Sequence, residues 1–166
     1  MGKILVTYAS NAGSTEEVAN RIGEMLVQTG ATVDVLPVDA VDTLTSYQAV
    51  VIGSPIHSGK WLPDALTFVQ AHQATLKQLP VALFVLGLRL RDESADNQRT
   101  ATEVIARVIY ELKPVSVGLF AGVMDYSKLS ALVRLQAQTK GLPEGDYRKW
   151  AVIEQWAGEL LPLLSG

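Results

Sequence analysis

The chain has 166 residues, a net charge of −3 and 48% hydrophobic residues, enough for one well-buried core and short for two domains. That charge balance offers no basic footprint for nucleic acid, and no apolar run approaches the roughly 18 residues that a membrane helix needs. With no cysteine present, disulfides, thiol catalysis and thiolate metal sites are excluded.

Met1-Gly2-Lys3 runs at once into a first strand, Ile4-Leu5-Val6, without the longer apolar region and cleavage site of a secretory signal. Val6 stands where a myristoylation signal requires Ser or Thr. The expected location is cytoplasmic.

Residues 7–17, Thr-Tyr-Ala-Ser-Asn-Ala-Gly-Ser-Thr-Glu-Glu, follow as a hydroxyl- and glycine-rich loop that leads into a helix. Ser14 and Glu17 have capping-box spacing, and Val18, Ile22, Met25 and Leu26 recur at helical intervals before Gly30. An anion here would meet unpaired backbone N–H groups and the positive end of the helix dipole, with hydroxyls from Ser10, Ser14 and Thr15. The loop holds no lysine or arginine. The same residues also suit an ordinary strand-to-helix turn whose hydroxyls only satisfy the helix end.

Thr32 to Val38 reads as a second strand, and Ala49-Val50-Val51-Ile52-Gly53 as a central parallel strand covered on both faces. A helix is expected from Leu62 to Leu76, with Pro63 near its start, and a fourth strand from Val81 to Leu86. Ala101, Val104, Ile105, Val108, Ile109 and Leu112 form an amphipathic stripe that stops at Lys113-Pro114. Val115 to Val123 gives a fifth strand, Ser127 to Leu135 a modest amphipathic helix at most, and a last helix follows Asp146 as its N-cap. Strands alternating with helices predict a mostly parallel sheet covered on both sides. With a 2-1-3-4-5 order, adopted by analogy, ligands bind where the order reverses, beyond the carboxyl ends of the strands. The loops concerned are Ala9 to Thr15, Ser54 to Leu62 and Gly87 to Glu93.

These loops resemble those of flavodoxins, whose phosphate loop has the form Thr/Ser-x-Thr-Gly-x-Thr. Ser10-Asn11-Ala12-Gly13-Ser14-Thr15 is similar to it but departs at Ala12, leaving the backbone or Ser14 to replace one hydroxyl. Val51-Ile52-Gly53-Ser54-Pro55-Ile56-His57-Ser58-Gly59-Lys60 resembles the menaquinone-linked protoporphyrinogen oxidase branch of that superfamily. Further likeness lies in Leu86-Gly87-Leu88-Arg89-Leu90-Arg91, in Ala121-Gly122 and in Gly145-Asp146-Tyr147-Arg148-Lys149-Trp150. The resemblance implies an α/β, flavodoxin-like three-layer sandwich with a five-stranded parallel sheet, formed by one domain over residues 1–166. It also implies an FMN cofactor, and either electron transfer to a redox partner protein or oxidoreduction of a small molecule such as a quinone or porphyrinogen.

On this reading the flavin-binding residues are Ser10, Asn11, Ala12, Gly13, Ser14, Thr15, Ser54, Pro55, Ile56, His57, Gly59, Lys60, Trp61, Gly87, Leu88 and Arg89. Trp61 is either a stacking wall for the flavin ring or a core residue of the helix it precedes. The stacking tyrosine of many flavodoxins is missing from the third loop, which leaves that ring face to Leu88 or Leu90. Gly59 is either the peptide that flips on reduction or a plain turn glycine. His57 and Lys60 either favour reduced flavin or are solvated, and Arg89 and Arg91 either hold a carboxylate or reach into water. His72 reads as a surface residue.

Two other chemistries fail on the residues. Gly53 to Trp61 has one residue too many between its glycines for a Walker A loop, and Trp61 where Ser or Thr must hold magnesium. A phospho-receiver needs acidic groups after its first and third strands, where this chain has Tyr8-Ala9 and Gly53-Ser54. The modest charge disfavours a diffusible carrier, because carriers of this kind are strongly acidic to steer towards basic partners. The interval from Ser127 to Gly141 lacks the longer, basic and aromatic insertion expected of the protoporphyrinogen oxidases. A flavin-free interaction module is the reading from another class, kept open by Ala12 and by the missing tyrosine.

Overall fold

The computed structural model describes residues 2–10, 13–141 and 143–165. In chain order the elements are β1 (Lys3–Tyr8), α1 (Ser14–Gln28), β2 (Thr32–Pro37), β3 (Tyr47–His57), β4 (Lys60–Trp61), α2 (Pro63–Ala71), α3 (Gln73–Leu76) and β5 (Val81–Gly87). There follow α4 (Ala95–Val104), α5 (Ala106–Leu112), β6 (Ser116–Ala121), β7 (Val123–Met124), α6 (Ala131–Thr139), β8 (Gly145–Asp146), α7 (Trp150–Gly158) and α8 (Leu160–Leu164). The main sheet runs β2-β1-β3-β5-β6, all parallel, with β4 added to β3. This is the expected 2-1-3-4-5 order, since β5 and β6 are the fourth and fifth parallel strands.

Strict alternation along the strands divides the interior in two. Ile4 and Val6 of β1, Val51 of β3 and Phe84 of β5 face α1, α7 and α8, where Val18, Ile22, Leu26, Ile153 and Leu160 meet them. Leu5, Val50, Ile52, Leu83 and Val85 face the other way, against Ala65, Phe68, Leu76, Ile105 and Val108. Burial of one such large aliphatic side chain contributes roughly 1.5–3 kcal/mol, so a one-residue slip of register would expose a whole set at once. β5, the expected fourth strand, is buried along its entire length, as a parallel strand covered on both faces is. Gly53 on β3 pairs with Phe84 on β5, and a Cβ there would lie 1.9 Å from the Phe84 ring. The glycine makes room for the aromatic ring.

Several boundaries differ from those expected. β3 runs on past Gly53 because the chain doubles back through Ser58 (φ 51°) and Gly59 (φ 75°) to pair Ile56 with Trp61 and His57 with Lys60. Positive φ at both turn residues is the signature of a two-residue hairpin turn. The expected helix over 62–76 is broken at His72, and the amphipathic stripe is broken at Ile105, where the backbone takes φ −111° with ψ 15° and 17° respectively. Both values fall in the sparsely allowed bridge region that interrupts helical hydrogen bonding. The modest helix expected from Ser127 to Leu135 is a 3-10 turn, Tyr126–Lys128, followed by α6, whose Ser130 hydroxyl accepts from Val133 N.

The last helix does not start after Asp146. It starts at Trp150, because Asp146 lies in β8 and its carboxylate accepts from Arg148 N, Nε and Nη2 instead of capping a helix. β7 and β8 pair antiparallel and close an excursion, residues 125–144, that leaves the end of β6 and returns beside α1. Among the described residues no helix is long and apolar enough to cross a membrane.

Candidate functional site

The carboxyl ends of β1, β3 and β5 bring the three expected loops to one edge of the sheet, where the strand order reverses. In the first, Ser10 Oγ accepts from Gly13 N at 2.9 Å, a closed turn that leads straight into α1. Gly13 is the N-cap, with φ 87° and ψ −10°, and its carbonyl accepts from Glu17 N at 3.2 Å. Left-handed backbone of this kind is cheap only for glycine. The expected capping box is therefore absent: Gly13, which has no side chain to cap with, takes the cap position, and Ser14 becomes the first helical residue. Among the described residues no side chain accepts from the N–H groups of Ser14, Thr15 and Glu16, as in an anion-binding helix end. Asn11 and Ala12, also expected in this loop, lie outside the described residues.

Thr15 is fully buried in the first turn of α1, and its hydroxyl has no hydrogen-bond partner. Thr7, also fully buried near the end of β1, has an unpartnered hydroxyl as well. A buried polar atom left unpaired costs about 1–3 kcal/mol, so two such hydroxyls flanking one loop suit a polar ligand. Glu16 and Glu17 place two carboxylates in the same turn. Arg148 offsets them: its side chain is only 7% exposed, with Nη1 3.5 Å from Glu17 and donating to the Ser14 carbonyl at 3.2 Å. Its hydrogen bonds hold Asp146 below the usual carboxylate range, and the ring of Trp150 lies 4.7 Å beneath the guanidinium. Burial, then the nearby Glu16 carboxylate, raises the Tyr8 hydroxyl above its ordinary pKa at the strand end.

The second loop is built from the inside. Ser54 is fully buried, accepts from Leu62 N at 3.0 Å and donates to the Pro55 carbonyl at 2.9 Å, so its hydroxyl is used in pinning the hairpin base. Pro55 and Ile56 are half-buried, whereas His57, Gly59 and Lys60 form an exposed tip. Trp61 is 1% exposed and packs with Leu5, Leu62 and Ala65. This corrects the stacking-wall alternative: the indole fills the core and offers no free face to a flat ring. Its Nε1 is a further buried donor without a partner.

The third loop opens at Gly87, the last residue of β5, and continues as a 3-10 turn, Leu88–Arg91. Leu90 is buried against Gly87, leaving half-buried Leu88 as the apolar residue that faces outward. Arg91 does not reach into the site. It donates to the Leu88 carbonyl at 3.0 Å and lies 5.7 Å over the Tyr147 ring, which holds the loop in shape. Arg89 is exposed, and no ion pair ties it to another described residue. Among the described residues no cluster of His, Cys, Asp or Glu could hold a metal ion.

Two open depressions lie elsewhere, along the flank of α1. One, of about 430 Å³, is lined by Glu17, Asn20, Arg21, Glu24, Trp150 and Glu154. Its carboxylates repel an anion, and Arg21 is already bound to Glu24 and Glu154. The other, of about 590 Å³, runs past Val27, Val33 and Val35. Neither lies at the strand ends, where the unpaired hydroxyls are.

The residues at this edge that reasoning from sequence did not single out are Thr7 and Arg148. Arg148 was legible only as part of the Gly145 to Trp150 motif. The family model described as "Flavodoxin domain" matches residues 5–142. The chain is 25% identical over 176 residues to a protoporphyrinogen IX dehydrogenase [quinone] of Leishmania major, covering 97% of this chain and 75% of the relative. It is likewise 25% identical over 163 residues to the protein of that name from Escherichia coli K12, covering 93% and 88%. Among solved structures, an archaeal flavodoxin superposes with a TM-score of 0.61 at 18% identity, covering 99% of both chains. A flavodoxin mutant of Pseudomonas aeruginosa gives 0.60 at 19% identity, again covering 99% of both.

Proposed function

Given that this chain belongs to the flavodoxin-domain family, we propose that it is a redox protein that holds FMN at the carboxyl ends of β1, β3 and β5. The observation that carries the reading is the first turn of α1: left-handed Gly13, closed by Ser10, beside the buried and unpartnered Thr15 hydroxyl. Phosphate supplies the acceptors that this turn lacks. Bound flavin would supply the electron chemistry, which no side chain here can provide.

The chain's own residues bind and orient. Ser10 shapes the cradle, while the N–H groups of the first turn and the Thr15 hydroxyl donate to the anion. Ser54 fixes the hairpin that forms one wall, and Leu88 covers the apolar side of the other. His57 and Lys60 lie at the exposed tip, where positive charge favours electron uptake by the ring. Arg89, with its planar fork of donors, is placed to hold a carboxylate-bearing substrate.

A small oxidisable molecule is the better partner class than a basic carrier protein. The net charge of −3 gives little long-range steering, and two relatives bear the name of a quinone-linked protoporphyrinogen dehydrogenase. A quinone and a porphyrinogen are the pair to screen. The test is fluorescence titration with FMN of the wild type and of a Ser10→Ala, Thr15→Ala double variant. The reading predicts saturable micromolar or tighter binding that the double variant weakens by at least about 10-fold, the loss of one or two hydrogen bonds to a charged group. Equal binding by both proteins contradicts this placement. Binding by neither favours a flavin-free interaction module.

A further inference from the structure

We propose that Tyr147 is the residue that positions the third loop for the flavin ring, acting through Arg91 from a strap, residues 145–149, that also grips the first turn of α1. This inference rests on the FMN reading above and gives the ring end of that site its support. The strap is β8 and the stretch that leads from it to α7. Its consecutive residues serve opposite ends of the site. Arg148 donates to the Ser14 carbonyl at 3.2 Å, at the phosphate end. Tyr147 and Lys149, on either side of it, meet the third loop: the Tyr147 ring lies 5.7 Å from the Arg91 guanidinium, and Lys149 pairs with Glu93.

A closed circuit of contacts runs from the sheet through the strap to the loop. Gly122 N, just past β6, donates to the Gly87 carbonyl at 3.3 Å, and the Gly122 carbonyl accepts from Tyr147 N at 3.1 Å. The strap is thereby registered against the residue at which the third loop opens. The Tyr147 hydroxyl donates to the Pro143 carbonyl at 3.2 Å, and a Cβ on Gly145 would lie 3.1 Å from the phenol, so the glycine leaves that ring its place. Arg91 completes the circuit: lying over the ring, it donates to the Leu88 carbonyl at 3.0 Å. The Lys149–Glu93 pair is exposed on both sides and adds little, which leaves the contact of Arg91 with Tyr147 as the tether. Tyr147 thus sets where Leu88 stands before a ring arrives. A loop already held in its bound shape costs less to order on binding.

FMN and riboflavin differ only in the phosphate, so a residue that acts at the ring end affects both alike. The experiment follows flavin fluorescence as each is titrated into the wild type, Tyr147→Leu, Tyr147→Phe, Arg91→Ala and the Arg91→Ala, Tyr147→Leu double variant. Arg91 and Tyr147 are only half-buried, and phenylalanine keeps the ring face that the guanidinium covers. We expect Y147L to weaken FMN and riboflavin by the same factor, roughly 5-fold, as for loss of one cation–π contact. R91A should weaken both at least as much, and Y147F should stay within about 2-fold of the wild type. The double variant should be no weaker than R91A, because Tyr147 acts only through that arginine. A residue that merely supports the fold would give losses that add in the double variant, and that result overturns the assignment. Full affinity in Y147L or R91A overturns it too, as does a loss confined to FMN. If Y147L does not fold, R91A and Y147F decide by the same criteria. Failure of the wild type to bind FMN overturns the assignment together with the reading beneath it, and the wild-type arm alone reveals that case.

Discussion

Thr15 is the residue on which the account is most exposed. A fully buried hydroxyl with no partner is a cost that folding alone does not explain. Replacement by isosteric valine removes that cost, so Thr15→Val should stabilise the flavin-free protein by about 1 kcal/mol while weakening FMN binding by roughly 10-fold or more. Chemical denaturation without ligand and fluorescence titration with it measure the two effects. A variant that loses stability and keeps its affinity would remove Thr15 from the site. At this scale the sequence was a partial guide. Hydroxyls at 10, 14 and 15 marked the loop, but whether Ser14 or Gly13 caps α1 depends on the φ of Gly13, which residue type only suggests. Trp61 could be read as wall or as core until its neighbours Leu5 and Ala65 were seen around it.

Elements near the site are held by charged pairs that join distant parts of the chain. Arg148 binds the segment between β8 and α7 to the start of α1, and Asp146 is its principal partner. Asp146→Asn leaves a guanidinium that is 7% exposed with Glu17 as its one remaining carboxylate among the described residues, and should destabilise the fold by about 1–2 kcal/mol, less than for a fully buried pair because Asp146 is half exposed. Since its folded pKa is depressed, the contribution of Asp146 is present above the ordinary carboxylate range and is lost as pH falls through the folded value. Wild type should therefore lose stability in acid more steeply than D146N, as measured by urea midpoints below pH 5.

At the far end of the sheet, Tyr47 of β3 donates to Asp34 of β2 at 2.8 Å, and burial with that bond pushes its hydroxyl up to about 12. A raised folded pKa means stability present below the unfolded value near 10 and lost as pH rises towards 12. Thermal melts between pH 9 and 11.5 should show this decline in the wild type and a shallower one in Tyr47→Phe. Strands and their register were legible because a period of two leaves little choice. Helix ends were not, because the breaks at His72 and Ile105 and the late start at Trp150 arise from tertiary contacts.

For the whole molecule the order of strands was taken by analogy and is the order observed, with β4 and the β7–β8 pair as additions that spacing did not foretell. The excursion after β7 is the part least legible from sequence, because its approach to the start of α1 exists only in the folded chain. A ligand that binds only the folded chain must raise its stability. At about 100 times its dissociation constant, FMN should add about 2.7 kcal/mol and raise the melting temperature by roughly 5–10 °C, and the Ser10→Ala, Thr15→Ala variant should show little of that shift at the same concentration. The most direct measurement of the central claim is a two-dimensional amide NMR spectrum recorded as FMN is added. The account predicts that the amides of Gly13, Ser14 and Thr15 move, together with those of Ser54, Gly87 and Leu88, while Val27, Val33 and Val35 along the flank of α1 stay in place. Movement confined to that flank, or none at any of these positions, would contradict it.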